Sequence, residues 1–349
     1  VDLESLDKDF DAIFLGIGLT KSRALGIDSE ESEGVEAGLE FLRKVNSGEK
    51  VDPGKRVAVI GGGNTAMDVA RCALRSGSEV SVIYRRTRHE MPAISDEIEE
   101  AELEGVNFRF LATPKEIISK GGKLEKVIFQ EMELVEPDES GRMRPEPVEG
   151  KTFELELDRI FTAIGETADL EPLGSHIDSE WNLIKADGES GETSRKGIYA
   201  GGDVTTGAAS VVEAIAAGRK AAEAIDRSFT GAETEAGEEQ KVVGFEDINT
   251  AYFDHSNRRL LPRIDPKEAV TGFREIHGDF SPEMLASETE RCFSCGVCNF
   301  CDNCWIFCPD VAIRRKEDEY EVDYDFCKGC LVCVVECPRS CISTREEGK

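Results

Sequence analysis

The chain has 349 residues, of which 40% are hydrophobic and 32% are charged, so it is long enough for two or three domains with a sizeable core. Its net charge of −29 argues against nucleic acid or an anionic membrane surface as the main partner, because both repel an acidic protein. No apolar run approaches the roughly 18 to 20 residues that a membrane span needs, so no membrane-spanning segment is expected.

The first predicted elements lead into a βαβ unit. Residues 10–18 predict a buried strand, and residues 34–45 predict a helix. Residues 55–60 are a short apolar strand that a glycine-rich turn joins to an amphipathic helix ending near residue 75, and residues 79–84 are the next strand. A strand, a turn, a helix and a second strand in this order imply a parallel sheet.

The elements after this unit are less regular. Residues 94–105 predict an acidic helix, and residues 106–162 predict short strands alternating with turns. Residues 197–200 are a further strand, which leads through a GGD turn into a helix over about 210–229. The acidic stretch 231–240, rich in Ala and Gly, is a predicted linker.

Eleven of the 12 cysteines lie between residues 292 and 341. Such crowding indicates metal ligation rather than disulfides, and it suits a cytoplasmic, oxygen-sensitive protein. Two runs have the spacing C-x2-C-x2-C-x3-C-P of bacterial ferredoxins, in which the fourth cysteine of each run ligates the cluster of the other run. The sequence therefore predicts two [4Fe–4S] clusters, the first held by Cys298, Cys301, Cys304 and Cys337, and the second by Cys327, Cys330, Cys333 and Cys308.

The alternative for these cysteines is a pair of structural zinc sites, which also use C-x2-C pairs. Zinc sites do not need the full ferredoxin order, and they are colourless. Cys292, Cys295 and Cys341 are left over. Because Cys292 and Cys295 extend the three-residue spacing upstream, either could replace a ligand of the first cluster; a buried or supporting role is the other interpretation.

The turn after residue 60 fits the dinucleotide-binding fingerprint G-x-G-x-x-A. Glycines let the backbone approach a pyrophosphate, whose charge lies against the N-terminus of the following helix. Where an acidic residue would bind the ribose of NAD, this chain has Arg85 and Arg86, and paired guanidinium groups suit the 2′-phosphate of NADP(H). A solvated basic loop is the alternative. The turn consists of Gly61, Gly62, Gly63, Asn64, Thr65 and Ala66.

Five segments together resemble the glutamate synthase small-subunit family: FDAIFLGIG, VAVIGGGNTAMDVAR, VIYRRTRHEMPA, FTAIGETADL and GIYAGGDVTTGAASVVEAIAAGR. Related members are the large subunit of NADH-dependent ferredoxin–NADP oxidoreductase and the iron–sulfur flavoprotein associated with dissimilatory sulfite reductase. The likeness extends over residues 10–227, about two thirds of the chain.

The resemblance implies an NADPH domain inserted into an FAD domain, with Gly165 in the crossover segment between them. Asp203 would accept a hydrogen bond from the ribityl or phosphate part of FAD. Backbone amides over residues 208–210 would face the pyrimidine end of the flavin and stabilise negative charge on it. The residues implied to bind NADPH are Gly61, Gly63, Ala66, Arg85 and Arg86, and those implied to bind FAD are Gly202, Asp203, Ala209 and Ser210.

The chain departs from the family at its start. Family members begin with a glycine-rich fingerprint for the ADP half of FAD, whereas here Gly16 and Gly18 are followed by Lys21 where a small residue is needed. Because this fingerprint is not matched, we expect that the first FAD lobe is missing. Either the chain is a fragment, as its start at Val1 rather than Met suggests, or another polypeptide supplies the lobe. FAD binding is then expected to need that lobe.

The predicted fold class is α/β. A Rossmann-like NADPH domain (31–165) is inserted in a partial FAD domain (1–30 and 166–230). A linker and connecting segment (231–290) leads to a small α+β ferredoxin domain (291–349).

The predicted function is electron transfer between NAD(P)H and a protein acceptor through FAD and the two clusters. No catalytic acid or base is assigned, and the direction of flow depends on potentials that the sequence does not determine. The acceptors that fit are ferredoxin, a 2-oxoacid oxidoreductase, sulfite reductase and the large subunit of glutamate synthase. The alternatives are a non-catalytic ferredoxin-type relay subunit and a glutamate synthase small subunit, although the C-terminal position of the clusters weighs against the latter.

Overall fold

The computed structural model describes residues 3–137, 141–174, 176–231 and 242–344. These residues form two compact units. The first unit contains the described residues up to 231 together with 264–276, and the second contains 242–263 and 277–344. Most of the predicted linker, from residue 232 to residue 240, lies outside the described residues.

The secondary structure alternates short strands with helices. The strands are β1 (Ile13–Leu15), β2 (Lys21–Ser22), β3 (Val35–Ala37), β4 (Arg56–Ile60), β5 (Glu79–Tyr84), β6 (Asn107–Phe110), β7 (Ala112–Lys120), β8 (Lys123–Pro137), β9 (Met143–Glu156), β10 (Arg159–Thr162), β11 (Glu166–Thr167), β12 (Ser179–Glu180), β13 (Leu183–Ile184), β14 (Ile198–Ala200), β15 (Ile313–Arg315) and β16 (Tyr320–Val322). The α-helices are α1 (Leu3–Asp9), α2 (Gly38–Asn46), α3 (Asn64–Arg75), α4 (Ser95–Glu104), α5 (Asp203–Thr206), α6 (Val211–Thr230), α7 (Pro266–Ala269), α8 (Pro282–Glu290), α9 (Asn303–Ile306) and α10 (Val332–Val335).

A five-stranded parallel sheet of order β3-β10-β4-β5-β6 forms the centre of the first unit. Successive side chains of a strand point to opposite faces, and both faces of this sheet are buried. Val57 and Val59 of β4 pack with helices α2, α3 and α4 on one face. Ala58 and Ile60 pack on the other face against the antiparallel sheet β7-β8-β9. The parallel α/β sheet expected from the sequence is therefore confirmed.

Two expectations for this region are wrong. Residues 106–162 do not form only short strands, because β8 and β9 are 15 and 14 residues long and pair as one antiparallel hairpin. Many charged residues alternate with the apolar ones in this stretch, so the sequence did not indicate how long the two strands are. The helix expected from residue 34 begins at Gly38, because residues 35–37 pair with β10 as an edge strand.

A second, smaller part of the first unit is built on the parallel pair β1–β14. Helix α6 packs on this pair through Ala221 and Ala224, which bury the ring of Tyr199. The first turns of α6 face solvent, with Val211 76% and Ile215 67% exposed. The pairing brings residues near the start of the chain next to residues that follow the central sheet.

A buried ion-pair network joins α3 to α4. Glu104, whose side chain is 3% exposed, accepts hydrogen bonds from Arg71 Nη2 at 2.8 Å and from Arg75 Nη2 at 2.6 Å. Burial by itself raises the pKa of Glu104, but the hydrogen bonds from Arg75 and Arg71 bring that pKa below its usual value. The carboxylate is therefore held ionised between two helices.

Replacing this carboxylate should destabilise the first unit. We expect Glu104→Gln to lower the free energy of unfolding by about 3 kcal/mol at neutral pH, since it leaves the buried Arg75 without its ion-pair partner and removes one partner of Arg71. Because the pKa of Glu104 is lowered on folding, its contribution is complete above the pKa of the unfolded carboxyl and is lost as pH falls through the folded pKa. Urea denaturation at pH 7 and at about pH 4 should therefore show a smaller difference between variant and wild type in acid.

The control for this prediction is Glu102→Gln. Glu102 lies on the same helix, is 40% exposed and pairs with Arg88, so its replacement should cost less than about 1 kcal/mol. Equal losses in the two variants would contradict the role of the buried network.

The second unit is a small α+β structure. Strands β15 and β16 form an antiparallel pair in register at Ile313 and Val322. The rings of Phe253 and Phe293 meet edge to face at 4.6 Å. The short helices α9 and α10 each follow the second cysteine of a cysteine run.

Candidate functional site

A cavity of about 550 Å³ lies at the carboxyl ends of strands β4, β5 and β10. The chain crosses from β4 to β5 on one side, whereas β10 lies on the other side of β4. In open α/β sheets, ligands bind at such a reversal of strand order. The position of the cavity therefore matches that of a nucleotide site.

The glycine turn after β4 forms the floor of this cavity. Gly61 has φ +148°, and a Cβ atom there would lie 2.1 Å from the carbonyl oxygen of Ala163. A Cβ atom on Gly62 would lie 2.6 Å from the ring of Tyr84. At Gly63 the nearest atom to such a Cβ is 4.0 Å away, on Pro92. The first two glycines are thus required by packing, whereas the third leaves room that a bound molecule can use.

These differences predict separate effects for two substitutions. Gly61→Ala should destabilise the fold by about 3 kcal/mol or more, because the new methyl group collides with backbone. Gly63→Ala should leave the melting temperature unchanged and weaken NADPH binding by about tenfold or more, because its methyl group enters the space for the pyrophosphate. Thermal melting and a binding titration check both, and full NADPH affinity in Gly63→Ala would contradict the pyrophosphate assignment.

Helix α3 begins at the turn and directs its amino end at the cavity. Its first turn contains no acidic residue, and the first amides of a helix have no partner inside the helix. Thr65 lines the cavity with the three glycines. Asn64 and Ala66 do not line it: Asn64 Oδ1 accepts a hydrogen bond from the amide of Ile94 at 2.9 Å, and Ala66 is fully buried in the core.

The paired arginines after β5 differ in their surroundings. Arg85 is exposed and lines the cavity. Arg86 also lines it but is only 5% exposed, and its Nε donates a hydrogen bond to the carbonyl of Met143 at 2.7 Å. Arg86 therefore also ties the long hairpin to the central sheet, which the sequence did not indicate.

Two further arginines line the cavity and were missed by the sequence interpretation. Arg23 follows β2, where its amide donates to the carbonyl of Gly165 at 3.0 Å. Arg142 directly precedes β9. No local motif marks either residue, because strand pairing brings both of them from distant parts of the chain.

The cavity is electropositive although the chain is strongly acidic. Four arginines line it, against one acidic residue among the lining residues, Glu166. Within the described ranges, the side chains of Arg23 and Arg85 have no ion-pair partner. Since unpaired guanidinium groups favour phosphate, the site is suited to a ligand with several phosphates.

The residues expected to bind FAD lie apart from this cavity, after β14. Gly202 begins α5 with φ 78°, and the carboxylate of Asp203 is half-buried and forms no hydrogen bond with the described part of the chain. Ala209 is exposed at the start of α6. The amide of Ser210 does not point to a ligand, contrary to expectation, because it donates to Glu213 at 2.8 Å in a capping box.

Several cysteines of the second unit lie close to one another, and the cluster ligand sets stay a prediction. Burial raises the pKa of Cys304 to about 11, and nearby Cys301, Cys298 and Cys337 raise it further. Burial likewise raises the pKa of Cys333, next to Cys327 and Cys330. Cys308 and Cys330 both lie near Lys328. Cys337, from the second run, is therefore close to the thiols of the first run.

Backbone geometry repeats between the two runs. Asp302 and Leu331 hold equivalent positions and have φ values of 66° and 61°, and each begins a four-residue helix. The left-handed region is uncommon for residues other than glycine. The same uncommon conformation at equivalent positions indicates that the two cysteine runs share one backbone fold and are suited to the same kind of ligand.

The fourth cysteine of each run accepts an equivalent hydrogen bond. The amide of Ala312 donates to Cys308 Sγ at 3.3 Å, and the amide of Cys341 donates to Cys337 Sγ at 3.3 Å. Hydrogen bonds to cluster sulfurs are one means by which proteins adjust cluster potentials. In the described ranges, no three His, Cys, Asp or Glu side chains lie close enough together to hold a single metal ion.

The left-over cysteines occupy different surroundings. Cys341 is half-buried beside Cys337, and burial and the charge of Cys337 raise its pKa to about 12. Cys292 and Cys295 are exposed. The amide and hydroxyl of Ser294 donate to Cys292 Sγ and lower the pKa of Cys292.

The sheet order, the glycine turn and the arginine-lined cavity define a dinucleotide-binding protein of the Rossmann class. The chain belongs to the pyridine nucleotide-disulphide oxidoreductase family, whose sequence profile matches residues 3–218. No helix among the described residues has the length and apolar character of a membrane span.

Several relatives are redox proteins that contain more residues than this chain. It is 40% identical to the NADP(+)-dependent formate dehydrogenase subunit beta of Moorella thermoacetica over 84% of this chain and 44% of the relative. It is 33% identical to the NADPH-Fe(3+) oxidoreductase subunit beta of Geobacter sulfurreducens over 84% of this chain and 50% of the relative. The chain thus spans about half the length of these curated relatives.

The resemblance to the glutamate synthase small-subunit family is confirmed. The Escherichia coli glutamate synthase [NADPH] small chain is 38% identical over 64% of this chain and 52% of that protein. Among solved structures, Mycobacterium tuberculosis FprA in complex with NADPH is similar with a TM-score of 0.55 and 22% identity, over 65% of this chain and 66% of that chain. At this identity, the likeness to FprA shows the fold alone.

Proposed function

We propose that this chain passes electrons between NADPH and a protein acceptor through FAD and two [4Fe–4S] clusters. The observation that carries the proposal is the combination, in one chain, of an arginine-lined dinucleotide cavity and two equivalent cysteine runs. The relatives that match 84% of the chain are named as NADP(+)- and NADPH-dependent redox subunits. Both parts are needed for electrons to enter as hydride and leave singly.

The cavity residues bind and orient NADPH in this proposal. The amides at the start of α3 and the open side of Gly63 hold the pyrophosphate. Arg85 and Arg86 hold the 2′-phosphate at the end of β5, which is where the adenosine half lies in Rossmann domains. Gly165, in the crossover after β10, and Arg23 would then face the nicotinamide half.

FAD fits the residues after β14 only in part. The carboxylate of Asp203 is available for a ribityl or phosphate group, and the exposed Ala209, just before α6, would lie against the flavin. No glycine-rich fingerprint for the ADP half accompanies β1. The exposed Val211 and Ile215 on α6 support a further lobe, supplied from outside residues 1–349, that completes the site.

The cysteine groups fit two clusters, with Cys298, Cys301, Cys304 and Cys337 around one and Cys327, Cys330, Cys333 and Cys308 around the other. Bound flavin supplies the change from hydride transfer to single-electron transfer, and bound clusters carry single electrons onward. The backbone amides that donate to Cys308 and Cys337 would stabilise the reduced clusters. We propose a cytoplasmic location and a redox protein as partner, such as ferredoxin, a 2-oxoacid oxidoreductase, sulfite reductase or glutamate synthase.

The experiment is an anaerobic titration of the brown, iron- and sulfide-loaded protein with NADPH, in a preparation that contains FAD. We expect both flavin and cluster absorbance to bleach with NADPH and much less with NADH. A colourless zinc protein, or an FAD- and cluster-loaded protein that NADPH does not bleach, would overturn the proposal. The second outcome would favour a relay subunit in which the Rossmann part has no redox role.

A further inference from the structure

We infer that Arg142, on the long hairpin, binds the 2′-phosphate of NADP(H) together with Arg85 and so selects NADPH over NADH. The inference rests on the proposed function and adds a specificity-determining residue that lies outside the glycine turn and the paired-arginine motif. It assigns to the β8–β9 hairpin a part in choosing the dinucleotide.

The hairpin is attached to the central sheet at the end of β5. Arg86 Nε donates to the carbonyl of Met143 at 2.7 Å, and the carbonyl of Arg86 accepts from the amide of Leu111 at 3.1 Å. The amide of Met132, on β8, donates to the carbonyl of Leu111 at 2.8 Å. Since Arg142 directly precedes Met143, these bonds fix its backbone beside the turn that carries Arg85.

The contribution of Arg86 to phosphate binding is limited by its own bonds. It is 5% exposed, and one of its donors is used by Met143. Arg85 and Arg142 are both exposed and both line the cavity. A dianionic phosphate gains most from two guanidinium groups that approach it from different sides, and these two residues come from different elements.

The chain offers a matched control in β9, the strand that Arg142 directly precedes. Arg144 carries the same charge two residues further on, is exposed, pairs with Glu146 at 2.8 Å and does not line the cavity. If the hairpin acted only through its overall positive charge, removing either arginine would weaken binding alike. If Arg142 contacts the 2′-phosphate directly, removing Arg142 weakens NADPH binding and removing Arg144 does not.

The experiment measures the dissociation constants of NADPH, NADH and 2′,5′-ADP by calorimetry, for the full chain and for variants whose melting temperature is checked first. We expect Arg142→Ala to weaken NADPH and 2′,5′-ADP by about tenfold to a hundredfold, as for a lost hydrogen bond to a charged group. NADH binding should change by less than about twofold, and Arg144→Ala should resemble wild type. Arg142→Lys should recover part of the loss, because it keeps the charge without the planar fork.

The failures of the inference and of the proposed function are distinguishable. If wild type prefers NADPH and Arg142→Ala keeps that preference, the inference is wrong and the proposed function stands. If Arg142→Ala weakens NADH as much as NADPH, the residue supports the site without selecting the phosphate, and the inference is again wrong. If wild type binds neither dinucleotide, or binds both equally, the NADP(H) assignment itself fails. Should Arg142→Ala melt early, Arg142→Gln, which keeps the length of the side chain, gives the same comparison.

Discussion

A Cys337→Ser variant should lose about half of the iron and acid-labile sulfide of the loaded protein, because a [4Fe–4S] cluster needs four thiolates. Cys337 belongs to the second run, yet it lies close enough to the first run to raise the pKa of Cys304, together with Cys298 and Cys301. The cluster that is lost should therefore be the one bound by the first run. Iron and sulfide analysis, with electron paramagnetic resonance of the reduced protein, measures this directly.

The neighbouring Cys341 supplies the control. Cys341 lies beside Cys337, and its amide donates to Cys337 Sγ, but it stands outside both ferredoxin runs. Cys341→Ser should keep both clusters. Because Cys341 could replace a missing Cys337, the double variant should lose the cluster even if the single variant retains part of it. Full iron content in the double variant would contradict the ligand set.

Arg85→Ala should weaken NADPH binding by about a hundredfold and leave the melting temperature unchanged. Arg85 is exposed in the cavity and has no ion-pair partner among the described residues, so its removal breaks no ion pair within them. NADH, which lacks the 2′-phosphate, should bind the variant nearly as well as wild type. A binding titration with both dinucleotides measures the change in preference.

Arg88→Ala is the matched control for that variant. Arg88 lies in the same RRTR segment but pairs with Glu102 and does not line the cavity. Its replacement should change NADPH affinity by less than about threefold. If Arg85→Ala and Arg88→Ala lose the same affinity, the 2′-phosphate is not bound by the turn after β5.

Features encoded by local spacing could be predicted from the sequence. The βαβ unit and the parallel sheet follow from the order of apolar runs around the glycine turn, and the structure confirms them. The grouping of Cys337 with the first run agrees with the ferredoxin spacing, although the ligand roles stay a prediction. These features depend on residues close in sequence or on a strict repeat, so little tertiary information is needed.

Features made by long-range contacts could not be predicted. Arg142 reaches the cavity because β9 pairs with β8 and because the carbonyl of Met143 accepts a hydrogen bond from Arg86. No sequence motif in the hairpin predicts this position. Arg23 lines the cavity because β2 pairs with β11. Ser210 was expected to offer its amide to flavin, but a carboxylate three residues later takes it. The sequence at the start of a helix is compatible with an amide that binds a ligand and with an amide that binds a capping carboxylate.

The anion-binding turn shows why a motif match needs a structure. The fingerprint specifies Gly61 and Gly63 and leaves Gly62 open, whereas packing against Ala163 and Tyr84 requires Gly61 and Gly62, and only Gly63 leaves space at the cavity. The sequence located the turn correctly. Only the packing around each glycine shows which of them maintain the fold and which is open to a ligand.

The central claim, that electrons from NADPH reach the clusters, is tested most directly by electron paramagnetic resonance of the anaerobic protein loaded with FAD, iron and sulfide. Reduction with excess dithionite gives the full signal of two reduced [4Fe–4S] clusters, and NADPH is then compared with it. We expect NADPH to produce a substantial part of that signal in wild type and almost none in Arg85→Ala at the same low NADPH concentration. A protein that gives the full cluster signal with dithionite and none with saturating NADPH would contradict the account.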